Sequence, residues 1–228
     1  MKKIAAVVSL FAFAFGVTAF VIPKTTDDAK FEGVITYSMT VDNAQYAQMF
    51  AGSTVKIYMK GSKTKSVTNS AMYKRIEIGD NSTTAKPILL VEAGGNKYQM
   101  KDDTSKAAAD VTPDIKYVDG TKEIAGYTCK KAEVTATSKT GETTTADVYY
   151  TEKLPAFKGK SGIKGLKGCA LEFSVSQQGI KITMTATEVK QQSVSDDTFI
   201  VPKGYKLVTQ QEMMADMQKN MGGGDGGN

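Results

Sequence analysis

Ile124-Ala125-Gly126-Tyr127-Thr128-Cys129-Lys130-Lys131-Ala132, Val148-Tyr149-Tyr150-Thr151-Glu152-Lys153-Leu154-Pro155 and Gly165-Leu166-Lys167-Gly168-Cys169-Ala170-Leu171-Glu172-Phe173 belong to one continuous stretch. The first and third pieces are extended segments punctuated by glycine, and each carries one of the two cysteines in the chain. The middle piece is an aromatic strand. Pro155 stops it, because proline cannot donate the next ladder hydrogen bond. This is the grammar of consecutive antiparallel strands.

The same grammar extends in both directions. Residues 127–137 and 143–150 are joined by Ser138-Lys139-Thr140-Gly141, a hairpin turn ending in glycine. Leu171, Phe173 and Val175 pair with Ile180, Ile182 and Met184 across Gln177-Gln178-Gly179. Upstream, Phe31, Ile35, Tyr37, Met39 and Val41 fall on one strand face, with Glu32, Thr36, Ser38 and Thr40 on the other. Asp42 then caps a helical turn over 43–50. Val55, Ile57 and Met59 alternate with Lys56, Tyr58 and Lys60, and further strands are expected over 63–68, 73–78, 88–92 and 97–101. Residues 102–114 read equally as a loop or a short helix. A last extended piece, 199–208, leads into a helix over 210–221, and Gly222 ends it. The expected fold class is mainly β: a strongly curved antiparallel sheet of ten or so strands, with a few short helices and a C-terminal helix.

The ends of the chain differ from this body. Lys2 and Lys3 precede an apolar run over 4–15, and Val17-Thr18-Ala19 offers small residues for cleavage. Residues 1–19 therefore read as a secretory signal, with an uncleaved anchor as the alternative. The run is short for a span and has no charged stop-transfer flank. No cysteine adjoins the cleavage site, so the expectation is an exported, soluble protein of the periplasm or outer envelope and not a lipoprotein. Residues 20–30 form a flexible lead-in, 31–208 a single sheet domain, 209–221 a methionine-rich helix and 222–228 a glycine-rich disordered tail.

Composition narrows the chemistry. The chain of 228 residues has no histidine, which removes the commonest general base and metal ligand. Removing residues 1–19 takes two lysines and no acid, lowering the formal net charge from +5 to +3. Arg75 is the sole arginine, and lysines are spread among acids, a solvated surface and not a nucleic-acid footprint. Asp102-Asp103 and Asp196-Asp197 sit in polar, turn-like surroundings suited to solvated acids. No nucleophile elbow, phosphate loop or paired metal-ligand spacing occurs. The expectation is a non-enzymatic protein with no catalytic residues, cofactor or metal.

An exported chain with an even cysteine count favours a disulfide between Cys129 and Cys169. On chain-entropy arguments, closing a loop of about 41 residues would stabilise the fold by about 4 kcal/mol. The alternative is two separate buried thiols acting as small apolar side chains. Met213, Met217 and Met221 recur four apart with Met214 beside them. That stripe reads as the buried face of a docking helix. Adaptable contact with apolar ligands, or soft-metal binding, are sharper readings of the same residues.

The order Ile124-x-Gly126-Tyr127-x-Cys129, then Tyr149-Tyr150-Thr151-Glu152-x-Leu154-Pro155, then Gly165-Leu166-x-Gly168-x-x-Leu171-Glu172 resembles the GLPGLI family of envelope proteins found largely in Bacteroidetes. Phe199-x-x-Pro202-x-Gly204-Tyr205 is similar to the ending of the same broad group. Where the family motif continues Pro-Gly-Leu-Ile, this chain has Lys167-Gly168-Cys169-Ala170. The resemblance implies a lipoprotein-carrier-like (LolA/LolB-like) half-open β-barrel, with a lipid or lipophilic small molecule on its concave apolar face. Candidate ligand-binding residues are Phe31, Ile35, Tyr37 and Met39 of the first strand and Met213, Met217 and Met221 of the terminal helix. The second expectation is a structural or protein-interaction module of the envelope, its face filled by its own side chains. A tunnel-like cavity would favour the first and a solid core the second. The helix is expected to dock over the open mouth of the sheet.

Overall fold

The computed structural model describes residues 31–83, 85–101, 112–137, 143–157, 162–177 and 180–222. The expected signal segment and lead-in lie outside them, as do 223–228 of the glycine-rich tail, most of 102–114 and the Ser138–Gly141 turn, while Gly222 closes the terminal helix.

Twelve strands form one sheet. In chain order they are β1 (Glu32–Val41), β2 (Thr54–Lys60), β3 (Lys63–Asn69), β4 (Tyr73–Asp80), β5 (Ile88–Ala93) and β6 (Asn96–Met100), then β7 (Asp114–Ile124), β8 (Tyr127–Thr137), β9 (Thr143–Thr151), β10 (Cys169–Gln177), β11 (Ile180–Gln191) and β12 (Lys206–Val208). Helix α1 (Ala44–Phe50) follows β1, and α2 (Gln210–Gly222) follows β12. The spatial order is β12-β6-β5-β4-β3-β2-β1-β11-β10-β9-β8-β7. Two antiparallel meanders are thus joined where β1 meets β11. The sheet curves without closing, and β7 and β12 are its edges. The mainly β, curved and open class expected from alternation is what the chain adopts.

Local chemistry sets the corners. β7 turns into β8 through Ala125 (φ 49°) and Gly126 (φ 82°), consecutive positive angles that give a tight two-residue hairpin. The Ala47 amide donates to the Asn43 carbonyl at 2.9 Å, which puts Asn43, one residue beyond the expected Asp42, at the cap of α1. Gly79 lies inside β4, and the turn falls later at Asp80, whose carboxylate accepts from Ser82 N–H at 2.9 Å.

Apolar residues occupy two faces and not one. Ile35, Tyr37, Val55, Ile57, Met59, Cys129, Ala132, Val148, Leu171 and Phe173 belong to a large core on the inner face. Val67, Ile76, Ile78 and Leu90 form a smaller core on the opposite face of β3–β5. The ladder register explains the exchange. Ile57, Ser66, Glu77 and Leu89 stand in one row, whereas Lys56, Val67, Ile76 and Leu90 stand in the next. Alternation along β2 puts its apolar residues inside, while alternation along β3 and β4 puts theirs outside.

The chain end covers that outer core. Phe199, Val201 and Tyr205 pack on it, and the Tyr205 hydroxyl donates to Glu92. That hydrogen bond is the main reason the Glu92 carboxyl is held below its ordinary range, with Lys74 at 3.2 Å contributing. The expected extended piece over 199–208 is strand only at β12, which pairs parallel to β6 through Lys206–Tyr98 and Val208–Met100. The segment therefore crosses the sheet edge from outer to inner face.

Candidate functional site

The inner face between β1, β2 and β8–β11 is the expected ligand site. Four of the candidate residues meet there: Phe31, Ile35 and Tyr37 are buried in the inner core and Met39 packs half-buried against it. Tyr37 sits beneath the Phe173 ring, edge to face at 6.2 Å between centroids. Its hydroxyl donates to the Ala170 carbonyl at 2.9 Å and lies 3.8 Å from Cys169 Sγ. Burial foremost, and then the neighbouring thiol of Cys169, push the Tyr37 pKa well above its ordinary value.

The open side of this cup is covered by the described parts of the connection between β9 and β10, residues 152–157 and 162–168, which are neither helix nor strand and are here called the strap. Leu154, Phe157 and Leu166 are buried in the inner core, and Ile163 packs against it. Gly168 returns the strap to the sheet. A Cβ there would come within 2.2 Å of the Thr151 carbonyl oxygen, so only glycine permits the approach. A void of about 10 Å³ remains under the strap, lined by Tyr37, Ile57, Phe157, Ile163, Leu166 and Phe173 among others. That is room for about one water molecule. Beneath the strap the cup is filled by its own side chains.

The methionine candidates lie elsewhere. Val55, Thr68, Arg75, Val91, Tyr98 and Lys206 share one row, which places Tyr98 on the inner face at the β6 edge. The Tyr98 hydroxyl donates to Asp216 Oδ2 of α2 at 3.2 Å, and Lys206 Nζ lies 3.6 Å from the same oxygen. A capping box starts the helix: Glu212 N–H donates to Thr209 Oγ1 at 3.2 Å, and Thr209 N–H donates to Glu212 Oε2 at 2.6 Å. Helix α2 is thereby tied to the β6–β12 edge. Met213 and Met217 are half-buried there, Met214 is exposed, and the Met221 side chain lies outside the described residues.

The cysteine expectation is corrected. Cys129 and Cys169 are both free and buried. Continuing the Lys130–Tyr150 register by one residue puts Cys129 opposite Thr151, and Cys169 pairs with Thr151 from the other side. The two cysteines are therefore two strands apart, with Cα atoms roughly 9–10 Å from each other. A disulfide spans at most about 7 Å between Cα atoms. Each thiol acts as a small apolar side chain, and burial pushes Cys129 up to about 11 and Cys169 up to about 12.

A second concavity went unnoticed in the sequence. It is a polar cleft of about 380 Å³ beside the bulge at Val118–Thr121, where β7 slips against β8. Tyr150 forms its floor and Tyr117 its wall, with ring centroids 5.5 Å apart. Lys130, Lys131, Lys167, Asp119 and Glu152 rim it. The only sequence signal was Gly120 inside an otherwise regular strand. Its φ of 138° and a virtual Cβ 3.3 Å from Lys131 make it the residue that permits the bulge.

No group of three or more His, Cys, Asp or Glu side chains able to hold a metal is found among the described residues. Nor is any of their helices long and apolar enough to cross a membrane. No family model matches the chain, and no curated protein matches it, so the GLPGLI resemblance rests on its short motifs alone. Among solved structures, the chain is similar to a domain assigned as an outer membrane lipoprotein-sorting protein of Vibrio parahaemolyticus. The match has a TM-score of 0.38 and 11% identity over 76% of this chain and 91% of that one.

Proposed function

We propose that this chain is an exported, non-enzymatic binding module of the cell envelope whose inner cup takes up a lipid or other lipophilic ligand when the strap moves aside. The observation that carries the reading is the kind of cover the cup has. Its apolar wall, with Tyr37, Ile57, Leu171 and Phe173, is covered by residues 152–157 and 162–168, which form neither helix nor strand, and the residual void lies under Phe157, Ile163 and Leu166. Phe157, Ile163 and Leu166 contribute the apolar contacts a bound acyl chain would replace. Such an exchange conserves buried apolar area, so it need not cost the fold its hydrophobic stabilisation. Export is supported by Lys2, Lys3 and the apolar run that follows.

A second reading has its own support. The void is only about 10 Å³, so the cup is complete without a ligand, as expected of a structural or protein-interaction module. Native mass spectrometry of the protein with a long-chain fatty acid or a phospholipid separates the two. A saturable 1:1 adduct, strengthened by Phe157→Ala, supports the ligand reading. No adduct with either lipid, for wild type and variant alike, favours the filled module.

A further inference from the structure

We infer that the cleft at the β7 bulge is a binding site for an acidic carbohydrate, a pyranose ring bearing a carboxylate. It is separate from the apolar cup, sharing only Tyr150 with it. Three features converge. The first is size: about 380 Å³ suits one or two sugar rings and lies within the range of small-molecule sites. The second is an aromatic corner. Tyr150 is almost fully buried, while Tyr117 is 38% exposed and offers ring surface to the cleft. An aromatic face accepts the C–H face of a pyranose, and an amphipathic ring such as tyrosine serves where one side must stay wet.

The third is charge. Lys130 is paired with Glu152 at 3.0 Å and Lys131 with Asp147 at 2.8 Å. Lys167 has no carboxylate partner among the described residues. Its Nζ sits 4.8 Å above the Tyr117 ring, held at the rim, while its backbone N–H donates to the Tyr117 hydroxyl at 3.2 Å. An ammonium on an aromatic wall, with no carboxylate partner among the described residues, is placed to meet a carboxylate on a ring that stacks against that wall. Glu152 and Asp119 at the same rim are acceptors for sugar hydroxyls. A neutral sugar would satisfy the stacking and leave Lys167 unused. An inorganic anion would meet Lys167 and leave the aromatic corner empty.

Isothermal titration of the full-length protein with a uronic-acid oligosaccharide, a neutral oligosaccharide of equal length, and sulfate tests the inference. The expected result is saturable binding of the uronate, at least about tenfold tighter than the neutral sugar or sulfate. Lys167→Gln should bring the uronate down to the level of the neutral sugar, and Tyr117→Ala should weaken both sugars. Neither side chain is buried, so unchanged melting of Lys167→Gln keeps the test valid even if Tyr117→Ala unfolds. Absence of saturable uronate binding, equal binding of sulfate, or a Lys167→Gln variant that binds as wild type overturns the site.

Discussion

The Tyr37 hydroxyl on β1 donates to the Ala170 carbonyl on β10 at 2.9 Å, reaching past the intervening β11. It joins the two meanders from inside the cup at the irregular pairing between Ala170 and Glu172. Tyr37→Phe removes the donor and leaves the Ala170 carbonyl with the weak Cys169 thiol, 3.9 Å away, as its side-chain partner. A loss of about 1–3 kcal/mol is expected, read by denaturant unfolding. Unchanged stability would mean that the carbonyl is satisfied another way.

The thiols give a prediction with a sign. A free thiol's ordinary pKa here is 9.0, and burial raises Cys129 to about 11 and Cys169 to about 12. Below pH 9 both folded and unfolded chains keep the proton, and the thiols contribute no pH dependence. Above it the unfolded chain ionises first, so stability should fall from about pH 9 through pH 11–12. Thiol titration should find two free groups per chain in denaturant and slow reaction in the folded protein. Zero groups under denaturing, non-reducing conditions would contradict the strand spacing described for the two cysteines.

Two glycines are needed for different reasons. Gly126 has a positive φ with open space around its Cα, so Gly126→Ala should cost about 1–2 kcal/mol of backbone strain. Gly168 has no positive φ, but its missing Cβ is what lets the strap rest on Thr151. Gly168→Ala should cost more than Gly126→Ala, because backbone and not a movable side chain stands in the way. Thermal melting of the two variants orders them, and the reverse order would refute this division.

What could be read in advance follows from range. Individual strands were legible because period-two patterning is local: the strands expected at 31–41 and 88–92 appear as β1 and β5. The inner core residues Phe31, Ile35 and Tyr37 followed from the same pattern. The swap of the apolar face between β2 and β3 was not legible, because alternation fixes which residues share a face and not which face is inside. The wrong disulfide had the same origin. Cysteine parity carries no information on the strand that separates Cys129 from Cys169. The polar cleft depends on a register slip and on side chains from three strands and the strap, and one glycine was its only trace. The helix was seen, but its anchors on Tyr98 and Lys206 come from a parallel pairing that no local pattern announces.

Helix α2 is held by a cap and an edge. Thr209→Ala should remove about 1 kcal/mol from the helix with little effect on the sheet. Hydrogen exchange is the suitable reading: faster amide exchange over Gln210–Gly222 and unchanged exchange in β1 and β11. Uniform acceleration across the sheet would show that the helix is integral to global stability.

The central claim, that the inner cup admits an apolar ligand beneath the strap, is tested most directly by methyl NMR during titration with a long-chain fatty acid. Saturable shifts concentrated on Ile57, Ile163, Leu166 and Leu171, with exposed Ile200 and Leu207 unmoved, are the expected result. Shifts confined to Ile200 and Leu207, or no shifts up to the solubility limit of the fatty acid, would contradict it.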